Sequence, residues 1–353
     1  MAWPKDSTQY LIKKVATGQK LSKDLTEEEA YDILKRILDG KTTPMQTGAF
    51  CAAMRMKGES AEELAGFTRA VREKGTLISP KVPYLVDLGY PYDGKVRTDI
   101  LIVGAAFVAV AAGVSVMLHG ARNVPPKRGR SPEELLEALG IPVALSTKEV
   151  EAFLQKTGVG YLSCRNFSPI LADLLEVPAE IGVRPPLSAV HKLINPAQAT
   201  ASVLGITHPP YLKTMSGAMA LLHVPRGWVV KGIEGSMELS LVHPTTVVKV
   251  NNSACDTLEI DPKDYGLPAI SDTEFAKRSL EESVRETLQA LEGKASSWRD
   301  IFLWNGAFLI FASGKVSSLQ EGLTAAFAVL SNQSALKALE RSRIHVTPRE
   351  VAS

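Results

Sequence analysis

Phosphate chemistry is the first possibility the residues raise. Gly120-Ala121-Arg122-Asn123-Val124-Pro125-Pro126-Lys127-Arg128-Gly129-Arg130 carries four cations and no acid. Upstream, Lys95 and Arg97 follow Gly89-Tyr90-Pro91-Tyr92-Asp93, which adds two aromatic rings. Basic side chains interleaved with rings suit a phosphate backbone with stackable bases. The bland alternative is a solvated surface loop. His119-Gly120 ends an apolar run, Val114 to Leu118, that reads as a buried strand, and open α/β sheets bind ligands beyond strand ends. Other chemistries find less support. His191, His208, His223, His243 and His345 show no metal-ligand spacing, and no Ser-His-Asp or Cys-His arrangement can be read. Cys51, Cys164 and Cys255 are odd in number and far apart, as buried thiols in a reducing cytosol would be.

The chain that must position these groups has 353 residues, enough for two or three domains. Its 40 Lys and Arg against 38 Asp and Glu give a net charge of +2, so no global field draws it to nucleic acid or membrane. No apolar leader is present, and the expected location is cytoplasmic. Ile100 to Leu118 is long enough to span a bilayer, but its Gly and Ala and the break at Gly113 favour a buried helix running into a buried strand.

Thr26-Glu27-Glu28-Glu29, Thr43-Pro44-Met45-Gln46 and Ser60-Ala61-Glu62-Glu63 are capping boxes, each opening an amphipathic helix in the first 75 residues. Beyond Gly75, strands are expected at Val82–Leu88, Val114–Leu118, Tyr161–Ser163, Trp228–Val230 and Thr246–Val250. Helices are expected near Ser131–Gly140, Asn195–Leu204, Leu212–Leu222, Phe275–Leu291, Ile301–Ala312 and Leu319–Leu339, with Asp256–Pro268 as a polar connector. Alternation of the two implies a mainly parallel sheet covered on both faces.

Gly40 to Phe50, Arg55 to Ser60, His119-Gly120, Leu135 to Gly140, Glu180 to Arg184, Leu193-Ile194-Asn195-Pro196, Asn305-Gly306-Ala307 and Ser318 to Gly322 resemble, in order, segments of glycosyltransferase family 3. Anthranilate phosphoribosyltransferase is its best-known member. The resemblance implies a small N-terminal helical domain plus a larger α/β domain with a mainly parallel sheet, as in nucleoside phosphorylases and phosphoribosyltransferases. It implies a division into residues 1–78, with 166–195 packing on them, and 79–165 with 196–353, and a homodimer through the helical domain.

The same resemblance implies a rewritten site. The family's Gly-Thr-Gly-Gly-Asp phosphate turn falls on Gly89, Tyr90, Pro91, Tyr92 and Asp93, where Pro91 lacks an N–H and the tyrosines add bulk. Its Asn-x-Ser-Thr falls on Asp99, Leu101 and Ile102. Its Lys-His-Gly-Asn falls on Leu118, His119, Gly120 and Ala121. Its magnesium-holding Asp-Glu falls on Met237 and Glu238, with Glu234 nearby, and an arginine near anthranilate falls on Pro178. Arg122 and Lys127 match basic family positions, Arg128 and Arg130 replace small residues, and Lys95 and Arg97 should lie beside this loop. A diverged, dimeric, nucleic-acid-binding branch also lacks the turn, and this chain resembles it around Ser168 to Ala172, Gly182 to Arg184 and Gly232 to Gly235.

Three readings follow. The first is a degenerate phosphoribosyl-diphosphate site reused for single-stranded nucleic acid or another polyanion, through Lys95, Arg97, His119, Gly120, Arg122, Lys127, Arg128 and Arg130. The second is a phosphoribosyl or glycosyl transferase acting on a phosphorylated or ribosylated substrate, with an acceptor that is not anthranilate, using His119, Lys127 and Mg2+ at Glu234 and Glu238. The third is an assembly protein. No membrane partner is expected.

Overall fold

A computed structural model of the chain describes residues 3–18, 20–268 and 270–343. His345 and the end of the expected α/β domain lie outside them. The first four helices are α1 (Thr8–Val15), α2 (Glu27–Leu38), α3 (Pro44–Lys57) and α4 (Ala61–Lys74). All three expected capping boxes are formed. In the third, the Glu63 carboxylate is fully buried, accepts from the Ser60 and Leu25 N–H groups and pairs with Lys57 at 2.8 Å, so one capping residue also ties α4 to the loop before α2 and to α3.

The rest of the chain runs β1 (Leu85–Gly89), α5 (Ile102–Ala111), β2 (Ser115–Gly120), α6 (Pro132–Ala138), α7 (Thr147–Thr157) and β3 (Val159–Ser163). Four short helices follow, α8 (Cys164–Phe167), α9 (Pro169–Leu174), α10 (Val177–Ile181) and α11 (Leu187–Val190). Then come β4 (Ala201–Gly205), α12 (Pro210–Leu221), β5 (Arg226–Val230), β6 (Thr245–Asn251) and β7 (Ala254–Ile260). The last helices are α13 (Leu280–Leu291), α14 (Ser297–Ala312), α15 (Leu319–Ser331) and α16 (Ser334–Ser342).

The sheet order is β3-β2-β1-β4-β5-β6-β7, parallel through β5 and antiparallel at β6 and β7. Strand residues alternate between two cores. Val86, Leu88, Val116, Leu118 and Val203 face α5 and α14, whereas Leu85, Met117 and Leu204 face α7, α12 and the helical domain. Ile100–Leu118 is the expected buried helix and strand: Gly113 turns the chain at φ 84°, and Gly104 lets the Phe302 ring of α14 approach so closely that a β-carbon would lie 2.2 Å from it. Among the described residues no helix is long and apolar enough to cross a membrane.

Several expectations are corrected. Asn195–Leu204 is not a helix: Asn195 and Gln198 have φ 45° and 51°, and Ala201-Ser202-Val203-Leu204 enters the sheet beside β1. Asp256–Pro268 begins as β7, an edge strand exposed on both faces, so it lacks the apolar alternation that marks a strand. Leu319–Leu339 is two helices, broken at Gln333 with φ 60°. Segment 166–195 touches the helical domain through Arg72, which donates to the Leu193 and Ile194 carbonyls at 2.9 and 2.7 Å, and through the Thr76 N–H on Phe167 O.

Candidate functional site

The sheet changes winding direction between β1 and β4, so the loops after Gly89 and Gly205 open a crevice at their carboxyl ends, where doubly wound sheets take ligands. Of the residues singled out from sequence, Asp93, Lys127 and Glu234 line it. The turn and the basic loop lie side by side, as expected: Lys95 and Arg130 exchange backbone hydrogen bonds at 2.9 and 2.8 Å. Gly94, at φ 71°, permits that approach, since a β-carbon there would lie 2.4 Å from Gly129 O.

The charges are arranged differently from the sequence expectation. Glu234, held at φ 55°, puts its carboxylate on the N–H groups of Val96, Arg97 and Thr98 at 2.9 to 3.3 Å, with the Thr98 hydroxyl at 3.0 Å. Successive N–H groups converging on one point form an anion cradle, and here the anion belongs to the chain itself. Burial works to raise the Glu234 pKa, but the three N–H groups and the hydroxyl outweigh it and hold the carboxyl below its ordinary value.

Glu238 fills a similar role deeper in the fold. It is fully buried, pairs with the equally buried Lys95 at 2.9 Å, and accepts from Ile102 N–H, the first residue of α5, at 3.1 Å. A carboxylate at a helix N-terminus satisfies an orphan N–H and the dipole. Asp99, just before this helix, accepts from Ile100 N–H and the Ser283 hydroxyl and pairs with Arg130, so the carboxylate on the first helical N–H is that of Glu238.

These contacts decide the fit to magnesium. A Mg2+ ion takes carboxylate and water oxygens in an open octahedral shell. Both oxygens of Glu238 face a lysine or an N–H, those of Glu234 face N–H and hydroxyl donors, and the Met237 side chain offers no oxygen ligand. The residues do not fit the ion, and among the described residues no cluster of metal ligands exists.

The basic loop is likewise answered by acids from elsewhere in the chain. Arg122 pairs with Glu133 and Glu137, Lys127 and Arg184 with Asp93, Arg128 with Glu176, and Arg130 with Asp99. Lys95 has no exposure at all, whereas Arg97 is 76 % exposed. Tyr90 and Tyr92 are buried and offer no face to a base, which corrects the stacking expectation. The Tyr92 hydroxyl meets His119 Nδ1 at 2.6 Å, and His119 Nε2 lies 3.3 Å from Asp87 in the sheet centre. His119 therefore belongs to an interior polar chain, and a β-carbon on Gly120 would lie 3.2 Å from the Tyr161 hydroxyl.

One residue in the crevice escaped the sequence reading. Lys192 follows His191 in an apolar run, yet its amine lies at the carboxyl end of β4, donating to Gly205 O at 2.7 Å. Burial, together with the nearby cations Lys127 and Arg184, pulls its pKa down to about 8 against the attraction of Asp93. A lone lysine between apolar residues and close to prolines was the only signal available.

Comparison with known proteins matches this architecture closely. Residues 9–75 fit the family model described as the helical bundle domain of the glycosyl transferase family, and residues 94–336 fit its a/b domain. Anthranilate phosphoribosyltransferase of Acetivibrio thermocellus is 32% identical over 331 residues, covering 94% of this chain and 95% of the relative. That of Pelotomaculum thermopropionicum is 36% identical over 330 residues, covering 92% of each. The crystal structure of anthranilate phosphoribosyltransferase from Thermus thermophilus superposes with a TM-score of 0.81 at 31% identity, over 94% of this chain and 98% of that one. The Saccharomyces cerevisiae enzyme in complex with PRPP and Mg, 20% identical, shares the fold at a TM-score of 0.81. With both domains matched along nearly the whole chain, the protein belongs to the glycosyl transferase family whose members carry this helical bundle and a/b domain.

Proposed function

We propose that this chain is a family member whose phosphoribosyl-diphosphate site is closed by its own carboxylates, and that it binds a phosphorylated small molecule without transferring phosphoribosyl groups to anthranilate. The observation that carries this is Glu234 seated on the Val96, Arg97 and Thr98 N–H groups. A diphosphate entering that cradle would displace a stabilised carboxylate and then meet its negative charge. Glu238 on the first N–H of α5 raises the same obstacle at the helix end.

Titration with phosphoribosyl diphosphate, with and without Mg2+, tests the reading. Absence of saturation up to millimolar ligand is expected. Magnesium-dependent binding, or formation of phosphoribosyl anthranilate, would overturn it and revive the transferase reading.

Single-stranded nucleic acid is a second reading, favoured by the exposed guanidinium of Arg97 and the partly exposed ones of Arg122 and Arg128. With Tyr90 and Tyr92 buried it would be electrostatic only, hence weak and steeply salt-dependent. The homodimer through the helical domain belongs to the proposal too. Met45 and Met56, three turns apart on α3, are 84% and 81% exposed, an apolar face that a second copy would cover. So do the cytoplasmic location and the division into 1–78 with 166–195 and 79–165 with 196–353.

A further inference from the structure

The crevice above β1 and β4 holds more positive charge than its acids answer. Asp93 faces Lys127 at 3.4 Å and Arg184 at 2.7 Å, and it is also the acid whose field reaches Lys192. Among the described residues Lys192 is in no ion pair, and its amine has only the Gly205 carbonyl. Three cations thus share one carboxylate. Burial is the larger cause of the lowered Lys192 pKa, and repulsion from Lys127 and Arg184 adds to it. The backbone here is closely packed. Gly89 at the end of β1 is packed so tightly under Lys192 that a β-carbon would lie 2.2 Å from its carbonyl oxygen.

The remaining charges nearby do not restore balance. On the turn side, Glu234 is consumed by its N–H cradle, and His191 is held neutral by burial and by Lys192 itself. On the helical-domain side, Glu59 meets the Tyr211 hydroxyl at 2.8 Å and burial raises its pKa, while Arg55 and His208 line the same wall.

Two clefts open to solvent meet at this point, and their shared walls include Arg184, Ser188, Lys192 and Thr207. Two cations and two hydroxyls at a common wall, with an open cleft on either side, form a head-group site from which the rest of a ligand can extend toward solvent. We propose that this wall binds the phosphate dianion of a phosphomonoester, with Lys192 and Arg184 as the charged contacts and Ser188 and Thr207 as hydroxyl donors. The proposal deepens the small-molecule reading above, and it does not depend on the turn being closed.

The test is calorimetric titration of the full chain with ribose 5-phosphate and with inorganic phosphate, without Mg2+, at pH ~8.5, where both are dianions. Runs in buffers of different ionisation enthalpy count the protons taken up. A dianion beside Lys192 raises its pKa, so saturable binding with fractional proton uptake is expected. Lys192→Met should weaken binding about tenfold or more and abolish the uptake. Lys192→Arg should keep binding within about threefold while also abolishing the uptake, because arginine stays charged. Thermal melts of both variants exclude misfolding. No saturation at millimolar ligand, or affinity and uptake unchanged in Lys192→Met, would overturn the proposal. Phosphoribosyl diphosphate binding that needs Mg2+ and survives Lys192→Met would count against the closed turn instead, so the two ideas fail separately.

Discussion

The turn from Gly89 to Asp99 and the crevice under Lys192 are neighbours, and they handle charge in opposite ways. In the turn, Lys95 finds Glu238, Glu234 finds three N–H groups, and Asp99 finds Arg130 and Ser283. In the crevice, Lys127, Arg184 and Lys192 share Asp93. A buried group whose partners are all internal gains nothing from a ligand, whereas a set of cations short of acids does. A turn closed to phosphate, as proposed, therefore does not imply loss of anion binding in the protein.

The strongest way to break the comparison is to remove one half of the deepest pair. Lys95→Met leaves Glu238 buried beside an N–H but without its cation, and stability should fall by about 3–5 kcal/mol, read from urea unfolding. The pair Lys95→Met plus Glu238→Gln should recover much of that loss, since no uncompensated charge remains. A single variant as stable as the wild type would mean that the pair does not hold the turn in place.

Next in size is Lys192→Met, and its sign is reversed. The folded pKa of Lys192 is about 8, below its ordinary 10.5. The unfolded chain therefore binds more protons between those values, and the protonated form penalises the fold at neutral pH. Wild-type stability should gain from this group as pH rises from about 8 toward 10.5, and the variant should lack that gain. At pH 7 the variant should be more stable by about 1–3 kcal/mol, after discounting for partial exposure. A less stable variant would show that the amine is needed for packing rather than strained by its neighbours.

Legibility from sequence follows the same division. The helical domain was readable because its signals are local: Thr26, Thr43 and Ser60 each cap with the residue three positions on. The sheet was readable where strands are buried on both faces, as at Val114 to Leu118, and unreadable at β7, whose exposed Asp256, Thr257 and Glu259 look like a connector. In the site, the adjacency of Lys95 and Arg130 was legible through the family resemblance. The pairing of Glu238 with Lys95 was not, because 143 positions separate them and nothing local marks the contact. For the same reason the loop looked unpaired: its acids are Glu133, Glu137, Glu176, Asp93 and Asp99, none of them within the loop itself.

Glu234→Ala has a smaller effect and a different pH signature. The folded pKa of Glu234 is depressed, so its contribution is present above the unfolded value near 4.5 and is lost as pH falls through the lower folded value. The variant should lose about 1–2 kcal/mol at pH 7, from hydrogen bonds to a charged acceptor, and its acid unfolding curve should lack the corresponding step. It also opens the cradle. If phosphoribosyl diphosphate binding appears in Glu234→Ala and not in the wild type, the carboxylate is the plug. If the variant still fails to bind, Pro91 and the buried tyrosines are sufficient to close the turn on their own.

Arg97→Ala should have the smallest effect, and it separates the two anion readings. The side chain is 76 % exposed and lies 3.9 Å from Glu234, so its removal should change stability by no more than about 0.5 kcal/mol. In the crevice reading it should leave phosphomonoester binding untouched. In the nucleic-acid reading it is the most available cation, and its loss should reduce the salt slope of oligonucleotide binding by about one counterion. An unchanged slope in Arg97→Ala, with phosphomonoester binding abolished by Lys192→Met, would place the anion chemistry in the crevice. A reduced slope, with Lys192→Met binding like the wild type, would place it on the exposed loop surface, because the buried and paired cations of the turn can supply neither response.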